Sequence, residues 1–147
     1  MYSNHLKIPN KELTFVLQGP VIHEENVTRK SCESIKKFFP ESKIILSTWK
    51  NSNSNNLNID EKIESEDPGA KNYIYHNNKE IFNNINRMII SSYNGLISVK
   101  TKFSIKLRSD MYFQSNNLLR LLGIVDKSNC NYSSKKIIIP SNMAINP

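Results

Sequence analysis

Glycine and cysteine are scarce in this chain: four glycines and two cysteines in 147 residues. The two cysteines, Cys32 and Cys130, stand alone and far apart. That spacing excludes a disulfide framework and a zinc site built on paired thiols. The three histidines, His5, His23 and His76, have no companion at metal-ligand spacing, and we read them as loop or solvent residues. No glycine-lysine phosphate loop, no dinucleotide fingerprint and no spacing that supports a Ser/His/Asp triad is present. Runs of about 18 apolar residues, the length a membrane span needs, are also missing. Residues 1–10 lack the apolar core of a signal peptide, so the expected location is cytoplasmic.

What is there is a basic chain of +7 net charge with 38% hydrophobic residues, enough for one domain around one core. The excess charge suits anionic partners: nucleotides, phosphates or an acidic membrane surface. Nucleic acid is not expected, because no basic and aromatic groove pattern or known module appears. The lysines are scattered, and Lys36-Lys37 and Lys135-Lys136 are only pairs.

Residues 13–17 (LTFVL) are almost wholly apolar and β-prone. Such a run fits a strand covered on both faces, as in a parallel sheet. It ends in Gln18-Gly19-Pro20, where glycine permits a tight turn or close ligand approach. Residues 26–39 form an amphipathic helix, capped by Asn26 or Thr28, with Ser31, Cys32 and Ile35 on its apolar side. Pro40 stops it. Residues 43–48 (KIILST) give a second strand. The Asn/Ser-rich run 51–58 reads as a solvent loop. A short third strand is expected near residues 62–64, and a turn at Asp67-Pro68-Gly69.

Residues 73–75 suggest a brief extended piece. A second helix follows from Asn83 or Asn84 to about Ser98. Ile85, Met88, Ile89, Ser92, Leu96 and Val99 recur along it at spacings of three and four. Residues 103–107 alternate as a strand and end in Arg108-Ser109-Asp110. A further helix is expected at 116–124 and a last strand at 137–139. Strands alternating with helices predict an α/β domain, a mostly parallel sheet flanked by helices. In open sheets of that kind ligands bind beyond the strand ends.

Three segments would therefore meet at that edge: the Gln18-Gly19-Pro20 turn, the Asp67-Pro68-Gly69 turn with the start of the second helix and its Asn86 and Arg87, and the Arg108-Ser109-Asp110 tip. A helix N-terminus favours anions, and an arginine fork suits phosphate. Asp110 is the candidate ligand for a divalent cation. Each has a plainer alternative: Arg108 and Asp110 as a structural ion pair, Arg87 paired with Glu80, and Gly19-Pro20 as an ordinary turn.

An ordered set of segments resembles the WavE lipopolysaccharide-synthesis family of bacterial proteins. They are TFVLQGPV (14–21), CESIKKFFP (32–40), IILSTW (44–49), Asp67-Pro68-Gly69, Asn84-Ile85-Asn86-Arg87 leading to Ser92 and Gly95-Leu96, and KFSIKLRSDMYF (102–113). The resemblance covers residues 13–113. It implies a glycosyltransferase with a GT-A-like, Rossmann-like nucleotide-diphospho-sugar fold. The substrates would be a nucleotide-sugar donor and a glycan or lipid-linked acceptor. The protein would work at the inner face of the bacterial inner membrane, with other glycan enzymes as neighbours.

By resemblance, Gln18, Gly19 and Pro20 hold the nucleotide. Asn86 and Arg87 face the donor sugar or its phosphates, and Arg108 and Asp110 stand where an acidic motif holds Mn2+ or Mg2+. Only one aspartate of the usual pair is present, so Arg108 is a candidate substitute for the metal's charge. No catalytic base is identified. The second half that such transferases normally carry is not visible, which predicts one domain over residues 1–147, truncated on its C-terminal side. The alternative is a non-catalytic remnant or a nucleotide-binding scaffold for a glycan-synthesis protein.

Overall fold

The computed structural model describes residues 8–75 and 79–118, and only the backbone of 72–75, 79 and 80. The chain divides into a unit spanning Pro9–Gln114 and a second unit made of Met1–Ile8 and Ser115–Pro147. The second is described only at Ile8 and residues 115–118. Most of the helix expected at 116–124, and the strand at 137–139, lie outside the described residues.

The first unit is built on β1 (Leu13–Gln18), α1 (Val27–Phe38), β2 (Lys43–Trp49), β3 (Glu61–Ser65), β4 (Lys71–Tyr75), β5 (Lys79–Asn83), α2 (Ile85–Ile97) and β6 (Phe103–Arg108). Four strands form a parallel sheet in the order β3-β2-β1-β6. β1 is buried along its whole length, as its unbroken apolar run requires. The order steps outward from β1 through β2 to β3, then returns to the opposite side of β1 for β6. Between β1 and β6 the direction of winding reverses, and the Gln18 and Arg108 ends lie side by side.

Register fixes the two faces. Phe15 aligns with Ile44 and Ile105, and Val16 with Ile45 and Lys106. Side chains alternate between faces along a strand. Under one face sits the α1 core: Cys32, Ile35 and Phe39 are fully buried. The rings of Phe15, Phe39 and Phe113 cluster at centroid distances of 4.9–5.5 Å. Cys32 is a free buried thiol, as its helical position predicts, and burial pushes its pKa up to about 11. The expected side-chain cap of α1 does not form. Asn26 takes the cap position in a left-handed conformation without a side-chain bond. Thr28 Oγ1 instead accepts the Ile22 N–H at 2.9 Å, tying the loop after β1 to the helix.

α2 covers the other face, and here the apolar periodicity misleads. The side packed on the sheet is Ser91 and Gly95, both buried, whereas Ile85, Met88, Ile89 and Leu96 point outward. Gly95 explains the closeness. A Cβ there would stand 2.5 Å from Val16 Cγ1 and 2.9 Å from Ser47 Cβ. The extended piece at 73–75 belongs to β4, which pairs antiparallel with β5. β5 has no counterpart in the sequence reading, because its five residues (KEIFN) carry only two apolar side chains and no alternation.

Candidate functional site at the strand ends

The three segments do converge at the C-terminal edge of the parallel sheet. Gly19 has φ +120°, a region that side chains rarely adopt. Its N–H donates to the Ser47 carbonyl at 3.0 Å, so the turn extends the β1–β2 ladder by one bond. Ser109 closes the other side. Its N–H donates to the Gln18 carbonyl at 3.0 Å and its hydroxyl to the Pro20 carbonyl at 2.7 Å. Its own carbonyl accepts the Ser31 hydroxyl at 3.0 Å. The Gly19 hydrogen faces Ser109 Oγ, which would lie 3.1 Å from an added Cβ.

Gln18 turns the other way, into the interface with α2. Ser91 Oγ lies 2.7 Å from Gln18 Oε1 and 2.7 Å from the Arg87 carbonyl. One hydroxyl proton serves one acceptor at a time. With the Gln18 amide turned by 180° its NH2 donates to Ser91 and both bonds form together.

Arg87 grips Asp67 in a bidentate pair, Nε to Oδ1 and a terminal nitrogen to Oδ2, both at 2.6 Å. It also donates to Asn84 Oδ1 at 3.0 Å. Asp67 further accepts the Gly69 N–H at 3.0 Å, which folds the Asp67-Pro68-Gly69 turn around the carboxylate. A continuous hydrogen-bonded chain thus runs from Ser109 through Gln18 and Ser91 to Arg87 and Asp67. The guanidinium of Arg87 holds the Asp67 carboxyl below its usual range. Asn86 is half-buried in the first turn of α2.

At the β6 tip, Arg108 forks onto Asp110 in the same way, Nε to Oδ1 at 2.9 Å and a terminal nitrogen to Oδ2 at 2.5 Å. The arginine depresses the Asp110 pKa, and the carboxylate raises that of Arg108. Lys106 and Arg108, two residues apart, share the α2 face of the sheet and are both exposed. Partial desolvation along the sheet and the Arg108 charge lower the Lys106 pKa.

These residues do not fit a divalent cation. Both Asp110 oxygens are occupied by Arg108, and no group of three His, Cys, Asp or Glu side chains capable of holding a metal occurs among the described residues. Nearby, the loops after β1 and β2 enclose a cleft of about 100 Å³ lined by Ile22, His23, Asn26, Arg29, Asn53, Asn56 and Leu57. Ligand pockets usually span about 300–1,000 Å³.

Sequence reasoning located Gln18, Gly19, Pro20, Asn86, Arg87, Arg108 and Asp110 at this edge. It missed Ser91, Ser109 and Asp67 as the groups that hold them. The signal for Ser109 was its place between two charged residues, and for Asp67 its turn, which the sequence already set at this edge without naming Arg87 as its partner.

The sequence matches the WavE lipopolysaccharide synthesis family over residues 13–146. The match runs past residue 113, where the resemblance of individual segments ended, and spans most of the chain. No curated protein and no solved structure matches it. The chain belongs to the WavE family, and with it to a group associated with lipopolysaccharide synthesis.

Proposed function

We propose that this protein binds a nucleotide-sugar at the β1–β6 strand ends and transfers the sugar to a lipopolysaccharide or other surface-glycan acceptor. The observation that carries this reading is the reversal of winding between β1 and β6. In open α/β sheets the crevice at such a point is where ligands bind. Here the reversal brings Gln18, Gly19 and Pro20 beside Arg108, Ser109 and Asp110. Family membership supports a role in glycan synthesis, and the GT-A-like assignment and the donor and acceptor are part of the proposal.

In this reading the bond from the anomeric carbon to the donor phosphate oxygen breaks as an acceptor hydroxyl oxygen bonds to that carbon and loses its proton to water, which leaves negative charge on the departing nucleotide phosphate. Positive charge must meet it in the transition state. Arg108 supplies it, exchanging Asp110 for phosphate oxygens of equal fork geometry. Asp110 holds the guanidinium in place until the donor arrives. Arg87 acts at a distance: its grip on Asp67 and its carbonyl's contact with Ser91 position Gln18. No step runs through a metal.

Calorimetry with UDP-, GDP-, CMP- and dTDP-sugars, each with EDTA and with manganese, tests this. One donor is expected to bind, with equal affinity in both conditions. Arg108→Ala should weaken that binding at least tenfold, and Asp110→Asn should strengthen it by freeing the arginine. Loss of binding in EDTA together with loss in Asp110→Asn would restore a metal role. No binding of any donor would remove the site.

A second reading, a nucleotide-binding domain without transfer, draws on the charge pairing. Arg87 and Arg108 each already have a carboxylate partner. Donor binding with neither hydrolysis nor transfer of the sugar to membrane-extracted acceptor would favour it.

A further inference from the structure

The outer side of α2 is an uncovered apolar stripe. Ile85, Met88, Ile89, Tyr93, Leu96 and Ile97 are 40–63% exposed. They recur at spacings of three and four, so they form one band along a helix of 13 residues, roughly 20 Å long. Ile81 and Phe82 of β5, just before the helix, are exposed as well. The opposite side of α2 is spoken for, since Ser91 and Gly95 sit on the sheet. Monomeric surfaces rarely leave a contiguous band of this size to water.

We propose that this stripe is a docking surface for an anionic lipid bilayer, with α2 lying in the interfacial plane. Charge selects the occupant. Residues 84–98 contain no Asp or Glu, and Lys100 and Lys102, both exposed, follow the helix within five positions. The chain as a whole carries +7. That charge repels a second copy and attracts an acidic headgroup surface. Tyr93, apolar in its ring and polar at its hydroxyl, suits the headgroup boundary. At 13 residues α2 is shorter than the roughly 20 residues a spanning helix needs, so its contact with a bilayer is lateral. Such docking would hold the strand-end edge near lipid-linked acceptors, yet it does not rest on the donor-site reading. Either can fail while the other stands.

The test is cosedimentation of the full chain with phosphatidylglycerol/phosphatidylcholine vesicles and with pure phosphatidylcholine vesicles, at low and high salt. Binding should favour the acidic vesicles. Ile89→Glu/Ile97→Glu should cut it at least tenfold, and Lys100→Glu/Lys102→Glu by roughly fivefold per lysine at low salt. All positions are exposed, so circular dichroism should show unchanged folding and calorimetry unchanged donor binding. Three results overturn the proposal. One is failure of the parent chain to bind acidic vesicles. Another is a dimer in light scattering that Ile89→Glu/Ile97→Glu dissociates, which assigns the stripe to a second copy. The third is a large loss of thermal stability in that variant without vesicles, which assigns the stripe to packing within the chain.

Discussion

Gly19 and Asp67 carry the most specific consequences at the scale of single residues. Gly19→Ala would place a Cβ 3.1 Å from Ser109 Oγ and hold a side chain at φ +120°. Backbone in such regions costs about 1–3 kcal/mol. We expect that loss in urea unfolding, together with weakened donor binding, because the turn shifts from Ser109. A stable Gly19→Ala protein with parental donor affinity would show that the turn geometry is incidental.

Asp67 gives a pH dependence. Hydrogen bonds from Arg87 lower its pKa in the folded protein. A depressed carboxyl contributes stability that is fully present above its unfolded value, near pH 4. The contribution is lost as pH falls through the lower folded value. The pair is substantially exposed, so screening by salt keeps the effect modest. Unfolding midpoints of Asp67→Asn should therefore differ from the parent at pH 7 and converge with it as pH falls below about 4. Curves that stay parallel down to pH 2 would mean that the ion pair contributes no titrating stability.

α2 and the β4–β5 hairpin show what happens between elements. A helix normally seats its large apolar residues on the sheet. α2 seats Ser91 and Gly95, since a close approach to Val16 and Ser47 leaves no volume for more. Gly95→Ala raises intrinsic helix propensity by about 1 kcal/mol. The added methyl meets Val16 at 2.5 Å, and overpacking of this kind costs about 1–3 kcal/mol. We expect net destabilisation in chemical denaturation and a loosened Gln18–Ser91 contact. A more stable Gly95→Ala would mean that α2 can lift off the sheet freely. The hairpin makes the complementary point. β5 forms because β4 offers backbone partners across the register Lys71 to Asn83, and its own side chains do not announce it.

For the whole molecule, the winding order decides where function is sought. A parallel sheet of order β3-β2-β1-β6 has its reversal beside β1, the most buried strand. The residue-level chain from Ser109 to Asp67 and the exposed stripe of α2 are both arranged around that layer. The alternation of strands and helices was legible in the sequence because long apolar runs and helical periods mark the elements themselves. The segments Gln18-Gly19-Pro20 and Arg108-Ser109-Asp110 were legible as strand ends for the same reason. By itself, then, the sequence determined the α/β class, the burial of β1 on both faces, the buried thiol of Cys32 and the family, while the strand at 103–107, read as central, is β6 at the edge of the described sheet. Local pattern and composition are enough for the fold class, the strand and the thiol; the family rests on the ordered segments that resemble it.

Only the tertiary structure decided which side of α2 meets the sheet, because periodicity marks an apolar face without saying what it faces. It also decided the partner of Arg87, because Asp67 lies 20 residues away and that pairing is set by a distance between segments that no spacing along the chain encodes. The Arg108–Asp110 pair, by contrast, spans two positions of one segment, and the sequence already offered it beside the metal role.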